Sequence, residues 1–403
     1  MTATFRAEYM PAAPPAAPMS FSGRGGEFLK LLITGSLFQI PTFGFYRFWL
    51  ITKLRRHLWA NTRLAGEAFE YTGTAKELLI GFLIALAVLV PLYLAYFILG
   101  VVLEEQQAFA SVPLAVIMYV LAHFGSYRAR KYRASRTVFR GVRFWMKGSG
   151  WAYAFRAILW DLATLLTLGL ALPWAMASLE RYRMRHTYFG SIQGDFTGTG
   201  WSLFKRGWWV WVLGVILLML TLFVLVVSTH SATGSGRPAL MAIAFLIGLL
   251  ILALVPLAMA IFTRWRIDGL RFGDVTATSS FRAGTYYGLF FKLIFSSLGF
   301  LIAFGLVAGL IGVLVFGNAI AETESFSWTW FGVVFLTVIG YLVALLGLGV
   351  LQRYFMGRGL WEAIVTSTTV TNLHAVDEVV AAGGLAGVVG EGLADALDFN
   401  VGL

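Results

Sequence analysis

Five times along the chain a long apolar run breaks off into a stretch rich in Arg, Lys and aromatic residues, and these stretches share a pattern. Thr62-x3-Gly66-x2-Phe69-x3-Gly73-Thr74 returns as Thr137-x3-Gly141-x2-Phe144-x3-Gly148-Ser149, with a fainter copy at Gly269-x2-Phe272. A shift of 125 residues also lays Thr42, Gly44, Trp49, Thr62, Thr72, Gly73 and Thr74 onto Thr167, Gly169, Trp174, Thr187, Thr197, Gly198 and Thr199. A chain built from repeats must pack like units against their neighbours. This constrains its construction more tightly than any other feature of the sequence.

The unit is a membrane unit. The chain is 59% hydrophobic and 13% charged over 403 residues, about half the usual charged fraction of a soluble protein. Apolar runs fall at Leu78–Leu103, Ala108–Ser126, Gly207–Thr229, Pro238–Phe262, Leu293–Phe316 and Trp328–Leu351. Each is long enough to cross about 30 Å of hydrocarbon as a helix of about 20 residues. The first 27 residues lack the apolar core of a secretory signal and contain the run Pro11-Ala-Ala-Pro-Pro-Ala-Ala-Pro18, so residues 1–22 are expected to form an extended, disordered arm. Cysteine is absent, which excludes disulfides, thiolate nucleophiles and Cys-ligated metals.

The net charge of +11 sits beside the membrane segments rather than on a soluble domain, which argues against nucleic acid as a partner. Of the 31 Lys and Arg residues, eight lie in Tyr127–Gly150, which has no acid, and five each lie in Lys53–Glu77 and Glu180–Arg206. The intervening loops Glu104–Gln107, His230–Arg237 and Gly317–Ser327 hold Arg237 against Glu104, Glu105, Glu322 and Glu324. Basic loops stay in the cytoplasm, so the repeat motifs face inward. The apolar segment 151–179 then enters and leaves on one side, and its 29 residues are too few for two spans of about 20 each. It holds Asp161, Gly169 and Pro173, and the aligned segment 28–50 holds Pro41 and Gly44. Both read as broken, re-entrant segments, which need protein or a cavity around their freed backbone groups. The alternative is eight ordinary transmembrane helices with one basic loop outside.

After each basic helix end comes a turn at Ala65-Gly66 or Arg140-Gly141, then an alternating stretch, Phe69-Glu-Tyr71 or Phe144-Trp-Met146. Period-two alternation bounded by glycines predicts a short strand. Strands of different repeats would pair in a small cytoplasmic sheet, with Thr62, Gly66, Phe69, Gly73, Thr137, Gly141, Phe144 and Gly148 as its structural residues. The expected fold is an all-α polytopic membrane protein built from internal repeats. It has six full transmembrane helices and two re-entrant segments, short cytoplasmic β-strands after each basic helix end, a membrane domain over residues 23–372 and an acidic, Gly-rich cytoplasmic tail over 373–403.

At Gly25-Gly26-Glu27, the Thr42-Phe-Gly-Phe-Tyr46 break, Trp49, the basic run Lys53–His57, Asn61-Thr-Arg-Leu-Ala-Gly66 and Phe69-Glu-Tyr-Thr-Gly73, the sequence resembles the YjgN family of bacterial inner-membrane proteins, a domain-of-unknown-function family. The resemblance runs from about Gly23 onward and takes in the tail Gly390-Glu-Gly-Leu-Ala-Asp-Ala-Leu397. The Pro-rich arm and the weak fifth repeat, Arg358–Thr369, depart from it. It implies a multi-pass protein of the bacterial inner membrane and carries over no reaction, substrate or catalytic residue.

Chemistry is sparse. His57, His123, His186, His230 and His374 never pair at metal-ligand spacing on one helix, and Ser202-x-x-Lys205 lacks the other elements of a Ser-Lys nucleophile. Gly23-x-Gly25-Gly26 opens no nucleotide-binding unit. No cofactor, metal site or catalytic residue is expected, and the chain is not read as an enzyme. Asp161 is the one carboxylate deep in an apolar segment and the candidate cavity residue, because an ionisable group at that depth marks a cavity or relay. The residues expected to touch anionic membrane lipid are Arg55, Arg56, Arg130, Lys131, Arg133, Arg181, Arg183 and Arg185. Two functions stand side by side: a transport or channel-like protein, for which paired broken segments are the pointer, and a membrane-organising scaffold that docks a protein partner or a second copy of itself.

Overall fold

A computed structural model describes residues 16–102, 107–230, 237–321 and 328–396 of the chain. Ten strands lie among them: β1 (Ala16–Phe21), β2 (Thr62–Leu64), β3 (Glu67–Tyr71), β4 (Thr137–Phe139), β5 (Val142–Met146), β6 (Thr187–Phe189), β7 (Ile192–Phe196), β8 (Leu270–Phe272), β9 (Val275–Ser279) and β10 (Thr368–Thr371). They pair antiparallel in chain order, and β1 closes the ring by pairing with both β2 and β10. The all-α expectation is overturned by this closed ten-strand barrel. The physical reason is edge satisfaction. An open sheet of three- to six-residue strands would leave two rows of unpaired backbone groups, and closure removes both.

Two further sequence readings change with it. Ala16–Phe21, read as the end of a disordered arm, is the strand that completes the barrel, with Ala17 opposite Val370 and Ser20 opposite Arg63. Tail residues beyond β10 cross the barrel floor as a 3-10 turn, Leu373–Val376, then climb outside the barrel to a short helix, Val389–Ala396. Residues 1–15 and 397–403 and most of the acidic loops expected on the outer side, at 104–106, 231–236 and 322–327, lie outside the described residues.

Between neighbouring strands the chain rises through a pair of helices and comes back. The pairs are α1 (Gly25–Gln39) with α2 (Arg47–Asn61), α3 (Ala75–Val102) with α4 (Gln107–Ser135), α5 (Gly150–Leu166) with α6 (Leu172–Arg185), α7 (Gly200–His230) with α8 (Arg237–Asp268), and α9 (Ala283–Ala321) with α10 (Trp328–Gln352). After α10 a π-helical stretch, Arg353–Gly359, and α11 (Leu360–Thr366) lead into β10. Each helix packs on the next and α10 packs on α1, so a ring of helices stands on the ring of strands. Six helices among the described residues are long and apolar enough to cross a membrane, and they belong to the pairs α3/α4, α7/α8 and α9/α10. The pairs α1/α2 and α5/α6 are shorter hairpins with both ends joined to the barrel.

The repeated residues explain themselves in this frame. Ala65-Gly66 (φ 51° and 84°) and Arg140-Gly141 (φ 50° and 73°) are the central positions of two-residue strand turns, both left-handed, the geometry that matches strand twist and favours Gly. Thr62, Thr137, Thr187 and Thr368 open their strands, and each hydroxyl donates back to the carbonyl four residues earlier, at Leu58, Arg133, Arg183 and Ile364. That bond satisfies an orphan carbonyl of the final helical turn.

Candidate functional site in the barrel lumen

Counting from the first residue of β2, β4, β6, β8 and β10 turns the lumen into a stack of five-membered rings. The third strand residues, Leu64, Phe139, Phe189, Phe272 and Val370, form an apolar ring low in the barrel. The first residues, Thr62, Thr137, Thr187, Leu270 and Thr368, lie above it. Four residues before each strand stand Leu58, Arg133, Arg183, Arg266 and Ile364, and the last four of these line the cavity where helices meet barrel. Alternation along the strands turns the intervening Arg63 and Arg271 outward, exposed. Together these rings enclose a cavity of about 810 Å³, more room than the smallest barrels leave once side chains have filled them. Below, Leu373 and Val376 of the 3-10 turn close it.

Glu180 organises the charge at the mouth. It is 1% exposed and receives Arg183 at 2.7 Å, Arg266 at 3.1 Å and Arg130 at 3.6 Å. Burial alone raises a carboxyl pKa, but Arg266, Arg183 and Arg130 outweigh it and hold Glu180 at about 2. Arg183 also donates to the Tyr153 hydroxyl and lies over its ring. On the opposite arc Arg55, 2% exposed, meets Glu391 of the C-terminal helix at 2.5 Å and Tyr71 at 3.1 Å. Burial disfavours the Arg55 charge, but Glu391 and Tyr71 more than offset that and raise its pKa. Glu391 reaches it because its helix is wedged between α3 and α4, with Gly392 directly against the Gly81 backbone.

The eight basic residues expected at a lipid surface therefore divide. Arg130, Arg133 and Arg183 line the lumen and Arg55 is buried beside it. Arg56 and Arg181 donate to the Gly73 and Gly198 carbonyls, Arg185 pairs with Asp195 at 3.0 Å, and Lys131 is half-buried on α4 away from the cavity. Asp161 is not a lumen residue. It sits between α4 and α5, 2.5 Å from the Tyr119 hydroxyl and 3.1 Å from His123 Nε2, with its side chain 40% exposed. Phe69 stacks on Phe139 and Phe144 packs on Phe189 across repeat boundaries. Gly73 has the Tyr71 ring where a Cβ would go, and Gly148 (φ 87°) lies under the Tyr127 hydroxyl. Glu180, Arg266 and Glu391 escape sequence reasoning. Arg266 joins Arg133 and Arg183 only when the strand starts are aligned, Glu180 lies seven residues before its strand rather than four, and Glu391 lies more than 300 residues from its partner Arg55. Among the described residues no three His, Asp or Glu side chains converge as metal ligands.

Residues 16–254 match the model of a family described as bacterial protein of unknown function, DUF898. The chain belongs to this family. Similar proteins named inner membrane protein YjgN occur in Escherichia coli (strain K12), 26% identical over 149 residues, and in Salmonella typhimurium LT2, 25% identical over 138 residues. These alignments cover 36% and 34% of this chain and 36% and 33% of the relatives, about a third of their length. No solved structure matches. The DUF898 match begins at β1 and ends within α8, so it takes in the lumen charges Arg130, Arg133, Glu180 and Arg183. With six helices among the described residues long and apolar enough to cross a membrane, this DUF898 member is a multi-pass protein of the inner membrane.

Proposed function

We propose that the chain is a transport-type protein whose helix ring admits a solute from the membrane into the barrel lumen. The observation that carries this reading is the stack of rings: a charged mouth next to the helices, a threonine level, an aromatic level, and a floor formed by a separate piece of chain. A barrel serving only as a scaffold has no use for an 810 Å³ cavity with guanidinium groups along its wall, since such groups are costly to hold away from bulk water. The competing surface-scaffold reading has less support, because Arg56, Arg181 and Arg185 are occupied by partners within the chain.

The floor supplies the test. Arg140 holds it to the rim through Asp377 at 2.7 Å while also pairing with Glu67 at 2.9 Å. In the cysteine-free chain, a cysteine replacing Thr187 at mid-lumen should react slowly with a membrane-impermeant thiol reagent. Adding Asp377→Ala should speed that reaction several-fold by loosening the floor. If position 187 never reacts with either floor, the lumen is a sealed core and the passage reading is wrong.

A further inference from the structure

The lumen is wide at a place that its own repeat could have filled. Phe69, Phe144 and Ala277 are the third residues of β3, β5 and β9. Each strand keeps one register with the strand before it, since Ala68 faces Arg63, Arg143 faces Val138 and Thr276 faces Arg271. On the following strand Phe69 and Phe144 stand opposite Phe139 and Phe189 and pack on them, with ring centroids 4.7 and 4.6 Å apart. At the same level Ala277 stands opposite Val370, and Met19 of β1 opposite Leu64. The third residue of β7, Gly194, is small for a different reason, because a Cβ there would meet the Met184 carbonyl oxygen at 2.9 Å. One arc of the lumen thus carries four phenylalanine rings, while the arc of β9 and β10 carries an alanine and a valine where the backbone's other copies place phenylalanine. Protein interiors leave few voids larger than a water molecule. A cavity of about 810 Å³ lined by both small residues is a space that the chain keeps open.

The polar groups around this space already serve the chain itself. Thr62, Thr137, Thr187 and Thr368 donate to helix carbonyls. Thr62 and Thr137 also accept the indole N–H groups of Trp361 and Trp59 at 2.9 and 3.0 Å, and Thr276 bonds the Thr371 hydroxyl. Arg130, Arg183 and Arg266 converge on Glu180, so they do not call for a second anion. From the threonine level down to Leu373 and Val376 the wall is a sleeve of apolar side chains. A water molecule needs about two to four polar partners, and an apolar cavity without them stays dry and takes up apolar molecules. Upward the cavity continues along Ser126 of α4 and Phe262 of α8, two helices long and apolar enough to cross a membrane. Its way in is therefore from the hydrocarbon. At about 30 Å³ per water-sized heavy atom, the 810 Å³ cavity holds roughly 25 heavy atoms, enough for one chain.

We propose that the sleeve binds an uncharged hydrocarbon-chain molecule taken from the membrane, packed against the phenylalanines of β3 to β6 and given its room by Ala277 and Val370. Ligand pockets of this size are lined mainly by apolar and aromatic side chains, as this one is. The assignment rests on the passage reading and adds to it the class of solute.

The test uses the whole chain in nanodiscs of zwitterionic phosphatidylcholine, with hexadecane carrying a mid-chain diazirine as the probe. On illumination the probe bonds to whatever it touches. Peptide mass spectrometry should find adducts at Phe139, Phe189 or Phe272, which line the lumen, besides those on the lipid-facing helices α9 and α10. Excess unlabelled hexadecane should remove the barrel adducts, and palmitate or hexadecyltrimethylammonium at the same bilayer content should remove them no better. Ala277→Phe copies Phe69 and Phe144, and it should reduce the barrel adducts several-fold while leaving those on α9 and α10 unchanged. Thr278→Phe, one residue along and exposed, should change neither set. Should Ala277→Phe fold poorly, Val370→Phe copies Phe139 and Phe189 and fills the same space from the neighbouring strand. Absence of barrel adducts, undiminished adducts in a folded filling variant, or displacement several-fold stronger by palmitate than by hexadecane each overturns the proposal. The adducts report entry from the membrane, whereas thiol reactivity at position 187 reports access from water. Barrel adducts without that reactivity would leave a binding lumen and no passage, and reactivity without barrel adducts would leave a passage for a different solute.

Discussion

The first and third repeats, 125 residues apart, are the same object in their backbones and opposite objects at the lumen mouth. In the hairpin between α1 and α2, Thr42 donates to the Phe38 carbonyl at 2.6 Å and accepts from the Tyr46 amide at 3.1 Å. Between α5 and α6, Thr167 repeats this with Ala163 at 2.7 Å and Ala171 at 3.0 Å. The turns place Gly44 and Gly169 at φ 85° and 89°. Arg56 and Arg181 then donate to the carbonyls of Gly73 and Gly198 at 2.9 and 3.1 Å. One residue before those arginines the likeness ends, for Arg55 in one repeat is Glu180 in the other. The shared positions are those that satisfy backbone groups or turn the chain. Arg55 against Glu180 and Leu58 against Arg183 are positions that differ, both change the charge at the mouth, and there the molecule departs from its own symmetry.

The strongest way to break this comparison is to remove the third repeat's carboxylate. Glu180→Ala leaves Arg130, Arg183 and Arg266 facing one another without their shared partner, and breaking such a buried group costs about 3–5 kcal/mol. Thermal unfolding in nanodiscs should show the loss as a lowered midpoint, and an unchanged midpoint would mean the lumen cations need no carboxylate. Acid provides a milder version. The Glu180 pKa is about 2 in the fold against about 4.3 in an unfolded chain. Its contribution is therefore complete above pH ~4.3 and is lost as pH falls through about 2. Glu180→Gln should remove that portion of the acid sensitivity and leave behaviour above pH ~5 parallel to the parent.

Smaller effects belong to the shared positions, where like should match like. Gly66 and Gly141 hold φ of 84° and 73° at corresponding strand turns, a conformation that a β-branched residue adopts only under strain. Gly66→Val and Gly141→Val should each lower stability by about 1–3 kcal/mol, and by similar amounts, because a built Cβ meets nothing within 4 Å at either site and strain is the whole effect. A large disparity between the two would show that the turns are not equivalent.

The division between shared and unshared positions also governs what could be read from the chain. Thr62, Gly66, Phe69 and their copies were legible because each satisfies a requirement that recurs in every unit, so the requirement leaves a pattern. The barrel was not legible as a barrel. Its first strand lies in the Ala- and Pro-rich stretch Ala16–Phe21, which has no alternation of its own and gains its pairing from Val370 and Arg63, far away in sequence. Strands such as β2 and β4 have three residues, too short to display a period of two. The arginine ring was hidden for a related reason. Leu58 and Ile364 occupy two of its five places, so basic runs at helix ends read as lipid-facing clusters, and Glu180 read as one acid within such a run. Asp161 drew notice as a lone carboxylate in an apolar segment, yet its partners Tyr119 and His123 lie on α4, outside the lumen.

The finest test of the repeat concerns Thr42 and Thr167. Both hydroxyls bridge a hairpin turn by donating to a carbonyl of the first helix and accepting an amide at the start of the second. Valine keeps the branched shape and removes both bonds. Each bond is worth about 0.5–1.5 kcal/mol net, more where the stranded group stays away from water. Thr42→Val and Thr167→Val should therefore each lower stability by about 1–2 kcal/mol, and the two should agree closely. Because the sites belong to different helix pairs with no shared partner, the double variant should show the sum within about 0.5 kcal/mol. Unequal single effects would mean that the surroundings of the two hairpins, rather than the common turn, set their strength. A sum exceeded by several kcal/mol would mean that the two hairpins communicate through the barrel between them. Agreement on both counts would leave the charged lumen mouth as the place where the first and third repeats do different work.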